Sequence, residues 1–575
     1  MKTIDRIKKE INIASGKIKA SLVIKNANIV NVLTGEIEKG DVAVENGKII
    51  GVGQYNGFNE IDIDGKYLAP SFIDGHIHLE SSMVTPNNFE ESVLPHGTTA
   101  VVTDPHEIAN VAGTSGIDYM LDATRNLILD IFFMLPSCVP ATEMDESGAI
   151  LHAEDLVKYY DNDRVLGLAE VMDFGATCAG QDMLMAKIVD AVERDRVIDG
   201  HAPMISDKDL SAYVTAGVKS DHECSNIEEA KKKFRRGQWI MVREGTAAQN
   251  LEALLPMFQY PFCFRSMLVT DDKHPNDLIK KGHMDYIIRK AISLGADPAI
   301  AIRMASFNPA KYFRIDNVGA IAPNYIANMV VIDNLTDFRI EKVFKEGKLV
   351  CEDGKIVLRE KEYHAPLQIP DRVIHSFNMD EIYAKQFRLT KKGDNLRLIK
   401  LLAGEIITEE LIVKADPIAD PDRDIVKVGV FERHKKTGHY GLGFINGYGL
   451  KKGAIATSIA HDSHNLIIAG VNDEDMAIAA NFVRENNGGI ALVVDGQVVS
   501  SIPLRIGGLM TDEKLNVMNR KLKHFKEKAK EAGITEGIDP LMTLSFASLP
   551  VIPSLRINTY GVIDVYKQEI VEVSF

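Results

Sequence analysis

Ile4, Ile7 and Ile11 fall at helical spacing among Lys, Arg and Glu, which predicts a short amphipathic packing helix at the start of the chain. From Ser21 the period changes. Residues 21–53 are β-branched runs broken by Asn-Val-Leu-Thr-Gly and Glu-Asn-Gly, and Asn46-Gly47 is a strong hairpin signal. A stretch of the same character returns over residues 318–356. Strands far apart in sequence commonly complete one sheet, so the two stretches are read as one β-domain interrupted by a large insert.

The insert alternates short apolar runs with helical stretches. The runs that read as strands are Tyr67–Ile77, Thr98–Thr103, Ile131–Pro136, Val165–Val171, Val197–His201, Gly217–His222, Trp239–Val242 and Ser266–Thr270. Eight such runs separated by helices fit a (β/α)8 barrel of about 250 residues. Beyond it the chain becomes mixed, then rich in Gly and β-branched residues, with helices expected around Asp473–Glu485 and Lys514–Ala532. The predicted fold class is α/β: a TIM-like (β/α)8 barrel over residues 68–315, inserted in a split β-sandwich (1–67 and 316–370), followed by a C-terminal α+β domain over 371–575.

Composition narrows the function classes. With 45% hydrophobic and 26% charged residues the 575-residue chain has ordinary globular composition, which excludes disorder across most of it and fibrous architectures. Sixty-six basic against 81 acidic residues give a net charge of −15, a poor basis for nonspecific binding to nucleic acid. The five cysteines are scattered with no CxxC spacing, as suits a reducing compartment. The first residues lack the apolar core of a secretory signal, and the sixteen uncharged residues Pro540–Leu555 are too short and too broken by proline to span a bilayer. A soluble cytoplasmic enzyme with no nucleic-acid or membrane partner is the expectation.

The chemistry lies where strand runs end. Catalytic groups of a parallel barrel belong at the carboxyl ends of its strands. His76 and His78 end the first run two residues apart, and so share one face. Glu170, His201, His222 and Asp271 end runs four, five, six and eight. Four imidazoles and two carboxylates are enough for two divalent cations with bridging ligands, and without thiolate they suit Zn, Fe or Mn.

PSFIDGHIHLE within a split β-domain resembles the amidohydrolase superfamily. The finer motifs HIHLESSMVTP, TTAVVTDPHEIANV, GLAEVMDFG, DGHAP, SDHE and VTDD look like the bacterial and archaeal adenine deaminases, and the likeness runs over essentially the whole chain. The resemblance implies a metal centre, two divalent ions per subunit with Mn or Fe first and Zn as an alternative, that hydrolyses adenine to hypoxanthine and ammonia. It makes His76, His78, Glu170, His201, His222 and Asp271 the metal site, with Glu170 where many relatives carry a carboxylated Lys, and it implies a homodimer. One departure is Pro323-Asn-Tyr-Ile-Ala-Asn328, where the superfamily has Pro-Gly-x-x-Ala-Asp, which puts the local turn geometry in question.

In this chemistry a metal makes hydroxide available near neutral pH. Asp271 can take a proton from the attacking water and return it to the leaving ammonia. Glu223 is either the proton donor to N1 or a partner that holds His222. Glu80, Ser81, Ser82, His106 and Glu107 follow the first two strands and either read purine edges or form turns and caps. Asp272 is either an acceptor for a substrate N–H or a helix cap. His461-Asp-Ser-His464 looks ligand-like but is read as a packed or turn-forming segment, because no matching cluster is visible near it in sequence. A cyclic-amide or N-acyl amidohydrolase on the same scaffold is the alternative activity, and a metal-free scaffold acting through protein partners is the non-enzymatic one.

Overall fold

The structure is a computed structural model that describes residues 3–246, 248–358, 368–415 and 419–575. Eight parallel strands occur in the expected order: Phe72–His78, Thr98–Thr103, Asp130–Leu135, Val165–Val171, Val197–Gly200, Ser220–Asp221, Trp239–Arg243 and Ser266–Val269. The first two are buried along their whole length, as strands covered on both faces must be. The ring closes where Asp271–Asp272, just past the eighth strand, pairs in parallel with Ile77 and His78. On the far side the Lys219 N–H donates to the Ile198 carbonyl at 2.8 Å and carries the fifth strand to the sixth. Gly200 permits that approach, since a Cβ there would sit 2.4 Å from the Ser220 carbonyl oxygen.

Two expectations are corrected. The run Tyr67–Ile77 is two strands. Tyr67–Pro70 belongs to the β-domain, pairing in parallel with Ala20–Asn31 and antiparallel with Met329–Ile332, and the first barrel strand begins at Phe72. The apolar run continues across the junction because both strands are buried, so periodicity gives no sign of the change of sheet. The N-terminal helix, Thr3–Ala14, does form, but Ile4, Ile7 and Ile11 are exposed. It packs through Ile13 in its last turn, against Ala20, Val23, Ala43 and Ile50.

The β-domain joins the two distant stretches into one nine-stranded hydrogen-bonded sheet, with Tyr67–Pro70 at the seam between them. Of the second part of the split domain, expected over 316–370, residues 359–367 lie outside the described residues. Ser71 alone separates this sheet from the barrel. Its N–H donates to the Asn328 carbonyl at 3.0 Å and its hydroxyl shares a hydrogen bond with the Thr99 hydroxyl at 2.5 Å. At the departure from the superfamily turn, Asn324 adopts φ 72°, a left-handed conformation that Asn tolerates better than most residues, and the Asn328 side chain accepts from the Glu346 N–H at 2.8 Å.

The C-terminal residues form an eight-stranded sheet from Asn395–Leu401 to Gln497–Pro503, with helices Asp473–Glu485 and Leu515–Glu531 where the pattern places them, and a small sheet over residues 555–571. This domain docks on the barrel mouth. Thr511 exchanges backbone bonds with Met83 and Thr85 (2.9 and 3.0 Å), and the Asn88 side chain donates to the Asp512 and Glu513 carbonyls. Among the described residues no helix is long and apolar enough to cross a membrane.

Candidate active site

At the carboxyl ends of barrel strands one, four, five, six and eight, the buried side chains of His76, His78, Glu170, His201, His222 and Asp271 turn toward one another. Glu170 stands between two groups. Its Oε1 lies 3.2 Å from His78 Nε2 and 3.8 Å from His76 Nε2, while its Oε2 lies 2.9 Å from His201 Nδ1 and 3.2 Å from His222 Nε2. Asp271 joins the first group, its Oδ1 3.2 Å from His78 Nε2 and 3.6 Å from His76 Nε2. Metal bonds of about 2.0–2.2 Å place neighbouring ligand atoms roughly 3 Å apart. His76 Nε2 is buried without a hydrogen-bond partner, as a ligand lone pair would be. The six groups therefore fit a divalent-cation centre on nitrogen and oxygen ligands.

Asp271 has φ 60°, a conformation rare outside glycine, where the chain turns its carboxylate inward at the end of the eighth strand. Its Oδ2 accepts from Arg243 Nη1 at 2.8 Å, and the same nitrogen donates to Glu223 Oε1. Burial alone would raise the Asp271 pKa, but its contacts with His76 and His78 and the Arg243 charge carry it well below the ordinary carboxylate range. Burial acts the same way on Glu223 and is outweighed by Arg243, His201 and His222, which bring it down to about 2. Both are held ionised. Glu223 Oε1 is also 3.5 Å from His222 Nε2, so it borders the metal-facing ring while it pairs with Arg243.

The loop residues divide. His106, Glu107 and Asp272 line the pocket. His106 Nδ1 lies 2.7 Å from Asp104 Oδ2, which orients the ring. Asp272 accepts the Ser81 hydroxyl, and it is not a helix cap, because His274 holds the N-cap position of the helix that follows. Glu80 and Ser82 lie outside the lining. Glu80 accepts the Ile108 N–H at 3.3 Å and burial lifts its pKa to about 7. The Ser82 hydroxyl is spent on the Leu79 carbonyl at 2.6 Å, closing the turn.

The His461–His464 segment is not merely packed. It does have a matching cluster, supplied by a residue 357 positions away: Glu107 receives both rings, with His461 Nδ1 at 2.8 Å from Oε1 and His464 Nε2 on Oε2. His464 Nδ1 accepts the Ala460 N–H at 3.1 Å, so the ring proton sits on Nε2 and is donated to Glu107. That tautomer makes His464 a hydrogen-bond donor rather than a metal ligand. Burial takes its pKa down to about 4, whereas burial of His461 is outweighed by Glu107, which brings it up to about 9. One neutral and one charged imidazole thus clamp a single carboxylate across the domain boundary.

Sequence reasoning missed the rest of the lining. Arg243 ends the seventh strand one residue beyond the run assigned to it, so the strand-end rule that found the histidines had the means to find it. Asp462, Phe546, Leu549 and Ile552 come from the C-terminal domain, and their sequence carries no strand-end signal.

Two family models match the chain: the amidohydrolase family over residues 67–350 and the adenine deaminase C-terminal domain over residues 404–569. Adenine deaminase 2 of Carboxydothermus hydrogenoformans is 44% identical over 575 residues, covering 99% of each chain. The adenine deaminase of Kosmotoga olearia is 44% identical over 573 residues and that of Clostridium acetobutylicum 43% over 565 residues, each covering at least 97% of both chains.

Proposed function

We propose that the chain, a member of the adenine deaminase family of amidohydrolases that hydrolyses adenine to hypoxanthine and ammonia, works with two divalent cations, which His76, His78, Glu170, His201, His222 and Asp271 would hold. The observation that carries the two-cation reading is the split of the Glu170 carboxylate, one oxygen toward His76, His78 and Asp271 and the other toward His201 and His222. The donor set suits manganese, iron or zinc, and the family resemblance favours the first two. When bound, such cations bring the pKa of a water toward about 7, so that hydroxide is available at neutral pH.

The chain's own groups manage the protons. Hydrolysis at C6 leaves one proton of water on N1 and the other on departing ammonia. Glu223, ionised by Arg243, takes the first and hands it to N1. Asp271 Oδ1 takes the second from the C6 hydroxyl and delivers it to the amino group, and Arg243 on Oδ2 holds the carboxylate in line. His106 and Asp272 flank the base and orient it. Metal analysis of the purified protein together with an ammonia-release assay tests the proposal. Two equivalents of metal per chain at full turnover are expected. Full turnover at one equivalent would overturn the two-cation reading.

A further inference from the structure

The wall of the pocket that faces the metal ligands comes from the C-terminal domain, through Asp462 beside His461 and through Phe546, Leu549 and Ile552. Most of it is apolar, and the His461 ring stacks on Phe546 at 4.5 Å between centroids. Asp462 is the exception. It is 2% exposed, and its Oδ2 has no hydrogen-bond partner among the described residues. His106 Nε2 lies 3.9 Å from this oxygen, beyond bonding distance. A buried carboxylate oxygen without a donor is costly unless a ligand, water or ion supplies the hydrogen bond. Glu80, Asp145, Asp199 and Glu244 also carry such an oxygen, but among the described residues Asp462 is the carboxylate of this kind that lines the pocket.

The substrate has the matching group. With C6, N1 and the amino nitrogen turned to the metal-facing floor, the imidazole half of the purine points at this wall. Its ring N–H is the one donor adenine has left there. We infer that Asp462 is the specificity-determining residue that accepts the imidazole N–H of the free base, and that it thereby rejects purines alkylated or glycosylated on that ring. The inference rests on the adenine deaminase reading. Asp462 is placed for it by its neighbour His461, which Glu107 grips, and by the His461 carbonyl, which accepts the Ser548 hydroxyl at 3.1 Å.

The test compares adenine with 9-methyladenine, which has no ring N–H, on the metal-loaded enzyme. Ammonia release from adenine by the unaltered enzyme checks the underlying activity by itself, so a failure there is distinguishable from a failure of this inference. In Asp462→Ala, kcat/KM for adenine should fall about 10–100-fold, mostly through KM, while that for 9-methyladenine changes less than about threefold, so the preference collapses. Equal losses on both substrates would overturn the assignment. A second arm needs no variant: hypoxanthine should inhibit the unaltered enzyme at least about tenfold more tightly than 9-methylhypoxanthine, and equal inhibition would also overturn it.

Discussion

On the barrel side of the pocket six ionisable groups crowd together, four imidazoles around the Glu170 and Asp271 carboxylates at 2.9–3.8 Å, with Arg243 and His106 close behind them. On the opposite side Phe546, Leu549 and Ile552 line the pocket together with Asp462, which has one unpaired carboxylate oxygen. The two walls meet the cost of burying charge in different ways. The floor concentrates anions and imidazoles so that cations repay their desolvation, and there the carboxylates are driven down in pKa. The wall excludes water with hydrocarbon and leaves a single polar demand for the substrate to meet. Floor substitutions should therefore act on chemistry and metal content, and wall substitutions on recognition.

The strongest challenge to that division is Asp271→Asn. Asn keeps the shape but accepts no proton from the C6 hydroxyl at neutral pH. It should lower kcat by about 10²–10⁴-fold with secondary structure by circular dichroism unchanged. Wild-type kcat with normal metal content would take Asp271 out of the mechanism. Chelation of the holoenzyme belongs with it: activity should vanish and Tm should fall, since ligand binding to the folded state alone stabilises it. A chelated protein with unaltered Tm would mean that the ring does not depend on cations to balance its charge.

Arg243→Gln tests the floor from behind. Losing the guanidinium leaves Glu223 and Asp271 without their shared cation and raises both pKa values. We expect kcat to drop about 10–100-fold and its acid limb to move to higher pH. An unmoved limb would show that Arg243 only fills space. Phe546→Ala addresses the wall, where KM for adenine should rise about tenfold with kcat within about threefold of normal. A kcat loss as large as that of the floor variants would erase the distinction.

Glu90 supplies a control far from both walls. It is buried with the Leu129 N–H as donor, and no cation opposes desolvation strongly enough, so its pKa rises to about 7 instead of falling. A group raised from 4.5 to about 7 contributes stability that is full below about pH 4.5 and is lost as pH climbs through 7. Glu90→Gln is neutral throughout, so the fall in Tm between pH 5 and pH 8 should shrink, by on the order of 2 °C. An identical fall in both proteins would place the titration elsewhere.

The two walls also differ in how far the chain announces them. His76, His78, Glu170, His201, His222 and Asp271 were legible because each ends an apolar run in a parallel barrel, a rule that works within a few residues of sequence. Arg243 obeys the same rule and was lost to a boundary placed one residue short. The barrel's eight strands were legible for the same reason, but the seam at Ser71 was not, since buried strands of different sheets read alike. Glu107 with His461 and His464 was out of reach. Their meeting depends on how one domain docks on another, and nothing near either segment encodes it. The helix Thr3–Ala14 shows the converse: a clean stripe of isoleucines need not be the face that is buried.

A joint one residue long has a mechanical meaning. With Ser71 bonded on both sides, to Asn328 and to Thr99, the β-domain and the barrel have no slack between them and move as one casting. The C-terminal domain is fastened at the mouth by the Thr511 bridge and by side chains that reach backbone, such as Asn88 and Asn465. Of the two seams, this second one is where the pocket lies, so its fit decides how the wall of Asp462, Phe546, Leu549 and Ile552 is set against the barrel ligands.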